Sequence, residues 1–179
     1  TINQIDLASL RAQMSYVPQD GFLFRDTIEN NISFGWPNAN LEDVQQAAQL
    51  AVVHKDIMSL PADYQTVVGE RGVTLSGGQK QRVSIARALV KDSALLILDD
   101  CLSAVDARTE KEIFSNIETY MTGRTAIVIT HKLTNLGNFD RIVVLDNGQI
   151  VESGTHSELI NRQGAFYEMY LRQQDGRNN

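Results

Sequence analysis

The sequence predicts an α/β fold: a mostly parallel sheet flanked by helices, with an α-helical subdomain inserted in it. Three observations carry that prediction. Leu95-Leu96-Ile97-Leu98 is a short apolar run that ends in two carboxylates, Asp99 and Asp100, the pattern of a strand buried on both faces that delivers acids at its C-terminal edge. Thr125-Ala126-Ile127-Val128-Ile129-Thr130 repeats the device and ends at His131. Val83, Ala86 and Leu89 recur instead at helical spacing. In open α/β sheets the C-terminal edge of the strands is where ligands sit.

Taken in chain order, Met14-Ser15-Tyr16-Val17 reads as a strand stopped by Pro18, with Gln19 directly after it. Phe22, Leu23 and Phe24 place aromatic bulk in a loop, either as a partner surface or folded onto the core. Asn40 is suited to cap a helix over Leu41 to about Ala51, with Glu42 and Asp43 in the first turn, where the helix dipole favours acids. A second helix covers His54 to Ser59. His54 has no set of ligands at metal spacing and reads as a plain surface or packing histidine.

Leu75-Ser76-Gly77-Gly78-Gln79 opens the next helix. A hydroxyl and two glycines there leave backbone N–H groups uncovered at the positive end, which makes an anion seat; a plain N-cap at Ser76 is the structural alternative. Lys80, Gln81, Arg82 and Arg87 lie on faces other than the core-facing one. Ala107 to about Tyr120 is a helix with Ile113 and Ile117 on one side. Asn147-Gly148 turns a hairpin between Arg141–Asp146 and Gln149–Glu152. Thr155 and Glu158 form a capping box that places His156 in a helix start, and Phe166, Tyr167, Met169, Tyr170 and Leu171 supply the packing face of the last helix.

Composition narrows the function classes. The 179 residues suffice for one domain with a real core, and 42% hydrophobic against 21% charged residues argues against disorder. Sixteen basic residues face 22 acidic ones, for a net charge of −6 with no Lys/Arg run, so no track for a nucleic-acid backbone is visible. Cys101, the single cysteine, has no internal disulfide partner and suits a small buried position. No apolar stretch approaches the roughly 20 residues that span a bilayer.

The order and spacing of these pieces resemble the ATP-binding cassette family. Leu75 to Gln79 matches its signature sequence, Leu95 to Asp100 its Walker B strand, His131 its switch histidine, Pro18-Gln19-Asp20 its glutamine loop, and Ser103-Ala104-Val105-Asp106 its D-loop. Thr66 to Gly72 resembles the cross-linking loop of exporters, with Val67 where an acid is often found. The resemblance implies a P-loop NTPase-like sheet domain over residues 1–179, with a helical subdomain and the signature helix at about 27–90. It implies ATP and Mg2+ as ligands. Asp99 would hold Mg2+ through water, Gln19 would touch the metal or the attacking water, and His131 would contact the γ-phosphate. Leu75, Ser76, Gly77, Gly78 and Gln79 would bind nucleotide in trans, capping ATP held by a second cassette paired head to tail. Gly69, Glu70 and Arg71 would contact the transmembrane domains, at the cytoplasmic face of the membrane.

Two departures shape the expectation. No G-x-x-x-x-G-K-[ST] loop is present, so the chain reads as an N-terminally truncated cassette, the C-terminal piece of a longer protein, expected to be inactive alone; a natural protein that lacks the loop is the alternative. Asp100 stands where active cassettes place glutamate. An acid shorter by one methylene is out of reach by roughly 1 Å, a displacement that can cost about a hundredfold in rate. That points to the degenerate-site subunit of a heterodimeric exporter. A non-catalytic regulatory cassette is the alternative. A soluble cassette acting on DNA or ribosomes is a further one, and it should show a coiled-coil insertion, long linker or basic surface, none of which is visible.

Overall fold

Pro18 has no N–H to donate to a sheet ladder, and the strand before it stops there: β1 is Met14–Val17. The computed structural model describes residues 4–69, 73–133 and 136–175, and within it the chain divides into two compact units, Thr1–Ile129 and Thr130–Asn179. In the first unit β1 pairs in parallel with β2 (Leu95–Asp99), which pairs in parallel with β3 (Thr125–Ile129). The register sets Tyr16, Ile97 and Ile127 in one row and Val17, Leu98 and Val128 in the next.

The helices of this unit are α1 (Leu7–Ala12), α2 (Ile28–Ser33), α3 (Leu41–Leu50), α4 (His54–Met58), α5 (Gly77–Leu89) and α6 (Ala107–Tyr120). Each long one starts on a side-chain cap. Asn40 and Asp43 form a capping box on α3, and Ser76 and Gln79 form one on α5; such caps contribute about 1 kcal/mol each. Asp106 caps α6 by accepting from Thr109 N at 3.0 Å. The core joins Val17, Leu96 and Leu98 of the sheet to Ile28, Ile32, Val44, Ile85 and Ile113 of the helices, and each such side chain stabilises the fold by roughly 1.5–3 kcal/mol.

Burial on both faces does not hold for β2 and β3. Leu96 and Leu98 are buried, whereas Leu95, Ile97 and Asp99 are only half-buried. Tyr16, Ile127 and Ile129 on the same face are 55%, 46% and 50% exposed. A parallel strand is buried on both sides only when helices cover both. Here the helical core lies on the Leu96–Leu98 side, and no described element of this unit covers the other. The signature helix differs in the opposite sense. Gln81 is buried, and Arg82 and Arg87 lie largely inside polar networks.

In the second unit β4 (Ile142–Asp146) and β5 (Gln149–Gly154) form an antiparallel hairpin. Asn147 and Gly148 have φ of +47° and +76°, as a two-residue turn of matching twist requires. Then follow α7 (His156–Arg162), opened by the Thr155–Glu158 capping box, and α8 (Ala165–Asp175). Leu133, Leu136, Val144, Leu159 and Phe166 form its core. Only part of the predicted α8 face packs: Phe166 is buried and Tyr170, one turn on, half-buried, while Met169 and Leu171 are exposed, since five positions among six successive helical residues cannot all face one side. His156 stacks edge-on against Phe166 and Tyr170, a local structural role.

Candidate functional site

β2 lies between β1 and β3, and its C-terminal end gathers the polar groups. Tyr16 Oη, from β1, donates to Asp99 Oδ2 at 2.9 Å. That bond to a carboxylate raises the Tyr16 phenol above its ordinary value. One residue on, Asp100 N–H donates to Ile129 O at 2.8 Å, and Asp100 itself has φ +44°. The left-handed region is uncommon for any residue with a Cβ, but aspartate is among those that enter it. Gln19, just past the end of β1, donates from Nε2 to Asp100 Oδ2 at 3.3 Å. Gln19, Asp99 and Asp100 thus meet at one edge of the sheet.

Cys101 follows, buried, its thiol pushed up to about 12 chiefly by burial. It is inert packing. Oxygen donors of this kind suit a hard cation: one or two carboxylates with an amide and water is the usual environment of Mg2+. His131 lies two residues beyond β3 in sequence and belongs to the second unit, where its carbonyl accepts from Gln173 Nε2 at 2.5 Å. His54 Nδ1 lies 2.7 Å from Tyr64 Oη, a hydrogen-bonded packing histidine.

The signature stretch shows the helix cap that the sequence offered as the structural alternative. Leu75 is buried and fixes the entry to α5. Ser76 Oγ accepts from Gln79 N at 3.2 Å, while Gln79 Oε1 accepts from Ser76 N at 2.9 Å. Ser76 is therefore a helix cap. The Gly77 and Gly78 N–H groups take no partner among the described residues and point out of a 13-residue helix at its positive end. Gln79 Nε2 also donates to Asp56 Oδ1 at 3.0 Å, and Arg82 Nη1 donates to Asp56 Oδ2 at 2.8 Å, tying the seat to α4.

The D-loop stretch packs on this platform. A Cβ on Gly78 would come within 2.9 Å of Ala104 O, so only glycine allows the approach. Ser103 and Ala104 bond to Gln81, Val105 is buried, and the Thr109 amide that Asp106 caps holds its carboxyl below the ordinary range. Gly69 has φ +117° and sits against Arg25; Glu70 and Arg71, predicted beside it, lie outside the described residues. A cavity of about 370 Å3 separates Phe22 and Leu23 from Val68, Gly69 and Leu75.

Two residues of the site had little signal in the sequence. Tyr16 reads as one more strand residue, and Gln81 as one more polar position in a helix; what singles them out is the partner that the fold brings from more than 20 residues away.

Residues 1–103 match the family model described as ABC transporter. The chain is 50% identical over 97% of its length to the probable multidrug resistance ABC transporter ATP-binding/permease protein YheI of Bacillus subtilis (strain 168), of which it covers 30%. It is 47% identical over 97% of its length to the multidrug resistance-like ATP-binding protein MdlA of Escherichia coli (strain K12), covering 29% of it. An ATP-dependent lipid A-core flippase of Legionella pneumophila is 47% identical over 99% of the chain and is covered over 30%. Among solved structures, a bacterial Atm1-family ABC exporter with ATP bound matches with a TM-score of 0.92 at 45% identity, over 97% of this chain and 30% of that one. The chain spans less than a third of the length of these relatives.

Proposed function

The chain belongs to the ABC transporter family, and from that premise we propose that it is the ATP-binding cassette of a membrane exporter, an ATPase working at the cytoplasmic face of the cell membrane. Two cassettes pair head to tail, bind and hydrolyse ATP, and so drive efflux through the attached transmembrane domains. Residues 27–90, which carry α2 to α5, serve as the helical subdomain. The single observation that carries the reading is the meeting of Gln19, Asp99 and Asp100 at the sheet edge, with Gln19 Nε2 on Asp100 Oδ2.

Asp99 and Gln19 are the residues that would hold Mg2+, which when bound supplies positive charge to the phosphates. Asp100 positions and polarises the attacking water from a distance one methylene too long, which makes this the slow site of a heterodimer; the partner's equivalent strand ends in glutamate. His131 contacts the γ-phosphate. Leu75 to Gln79 acts in trans: the Gly77 and Gly78 N–H groups and Ser76 cap ATP on the partner cassette, so that nucleotide joins the pair and hydrolysis loosens it. Ser103 to Asp106 lines the same interface. Gly69, Glu70 and Arg71, with the glutamine loop, pass closure to the transmembrane domains. The cavity beside Phe22 and Gly69, and Phe22 itself at 63% exposure, supply an apolar surface for that contact.

Steady-state and single-turnover ATP hydrolysis by the full-length transporter with its natural partner tests this. Restoring the acid's reach with Asp100→Glu should raise turnover at this site on the order of tenfold or more. No rise would overturn the short-acid assignment. Undiminished activity after Ser76 and Gly78 are disrupted would overturn the role in trans.

A further inference from the structure

We propose that Gln81 is a positioning residue that locks the glutamine loop and the D-loop to the signature helix, so that the anion seat and the sheet-edge acids move as one body. The proposal rests on the ATPase reading above. Gln81 is only 7% exposed, yet its amide is fully employed between three segments distant in sequence. Nε2 donates to Ser103 Oγ at 3.1 Å and to Gln19 O at 3.4 Å, and Oε1 accepts from Ala104 N at 3.0 Å. Only an amide offers donors and an acceptor from one planar group of this length. Glutamate would present an acceptor to the Gln19 carbonyl, and lysine would leave the Ala104 N–H without a partner.

The backbones meet at the same place. A Cβ on Gly21 would lie 3.0 Å from Gln81 N and Lys80 C, and one on Gly78 2.9 Å from Ala104 O. Both loops therefore rest directly on the first turns of α5, with no side chain between to absorb a shift. The far ends of the loops carry chemistry. Gln19 holds Asp100 through Nε2, and Asp106 starts α6. A displacement of the signature turn, when nucleotide arrives there, is transmitted through Gln81 to the backbone of Gln19 and thence to Asp100.

The test uses the full-length transporter with its partner and two substitutions. Gln81→Met keeps the volume and removes every polar contact; Gln81→Glu keeps the acceptor for Ala104 and removes both donors. Amide hydrogen exchange should quicken at residues 19–21 and 103–106 in Gln81→Met, and chiefly at 19–21 in Gln81→Glu. The rate of single-turnover ATP hydrolysis at this chain's own site should fall on the order of tenfold, with nucleotide affinity unchanged within about twofold, because the interaction serves the transition state rather than binding. In a Gln19→Ala background the same substitutions should add little further loss. Unchanged exchange at both loops, or a loss that multiplies in full on Gln19→Ala, would overturn the lock. If the wild-type transporter hydrolysed no ATP, the proposed function would fall, while the exchange result would still decide for or against Gln81.

Discussion

Asp56 is the hinge on which the signature turn is held to the helical subdomain, and removing its carboxylate has a cost that can be worked from the contacts. Asp56 accepts from Arg82 Nη1 at 2.8 Å and from Gln79 Nε2 at 3.0 Å. The Arg82 side chain is 14% exposed and that of Asp56 33%. A hydrogen bond to a charged group contributes about 1.5–3 kcal/mol and a neutral one about 1. The partial exposure of Asp56 argues for the low end, and Arg82 retains the carbonyls of Val52 and Gly78 as acceptors. Asp56→Ala should therefore destabilise the fold by about 2 kcal/mol. With a urea slope of about 2 kcal/mol/M for a chain of this size, the midpoint of equilibrium unfolding should fall by about 1 M. A shift below about 0.3 M would show that the two carbonyls suffice and that Asp56 does not anchor the turn. Acid gives an independent check. Burial alone would raise the Asp56 carboxyl, but the bonds from Gln79 and Arg82 and the Arg82 charge outweigh it and hold the group below its ordinary value of 3.8. A depressed folded-state pKa contributes stability above the unfolded value that is lost as pH falls through the folded one. The gap between wild type and Asp56→Asn should be full at about pH 5 and above and close below about pH 4.

Ser84 Oγ is buried with no hydrogen-bond partner among the described residues, so Ser84→Ala should stabilise the chain by about 0.5–1 kcal/mol, read as a raised unfolding midpoint; a lowered one would show that the hydroxyl is satisfied. A Cβ on Gly35 would collide with the Arg87 carbonyl, and Gly35→Ala should cost about 1–3 kcal/mol in the same assay. The Cys101 thiol, pushed up to about 12 by burial, should resist alkylation at pH 8 in the folded chain and react once urea unfolds it. Fast labelling under native conditions would refute its burial.

Much of this protein was legible without coordinates because its signals are local. Pro18 ends β1, Asn40, Ser76 and Thr155 open their helices as caps, and Asn147-Gly148 turns the hairpin; each acts within four residues through backbone sterics or a single hydrogen bond. The same holds for the order of the apolar runs and their terminal acids, which predicted a parallel sheet with its acids at one edge. Burial was less legible. An apolar run such as Ile127 to Ile129 records that a strand can be covered, not what covers it, and on one face of this sheet no described element of its unit does.

What the sequence by itself determined is therefore most of the elements, though not α1 or α2, together with the identity of the groups at their ends, since these follow from short-range propensity and pattern. What only the tertiary structure decided is which of those groups meet. Gln19 reaches Asp100 across 81 positions, Tyr16 reaches Asp99 across 83, and Gln81, read from the sequence as a polar position off the core-facing side of its helix, becomes the buried junction of two loops. Such meetings are set by sheet order and by glycine-permitted backbone contact at Gly21 and Gly78. They depend on the packing of the whole unit and leave no periodicity in the chain to be read.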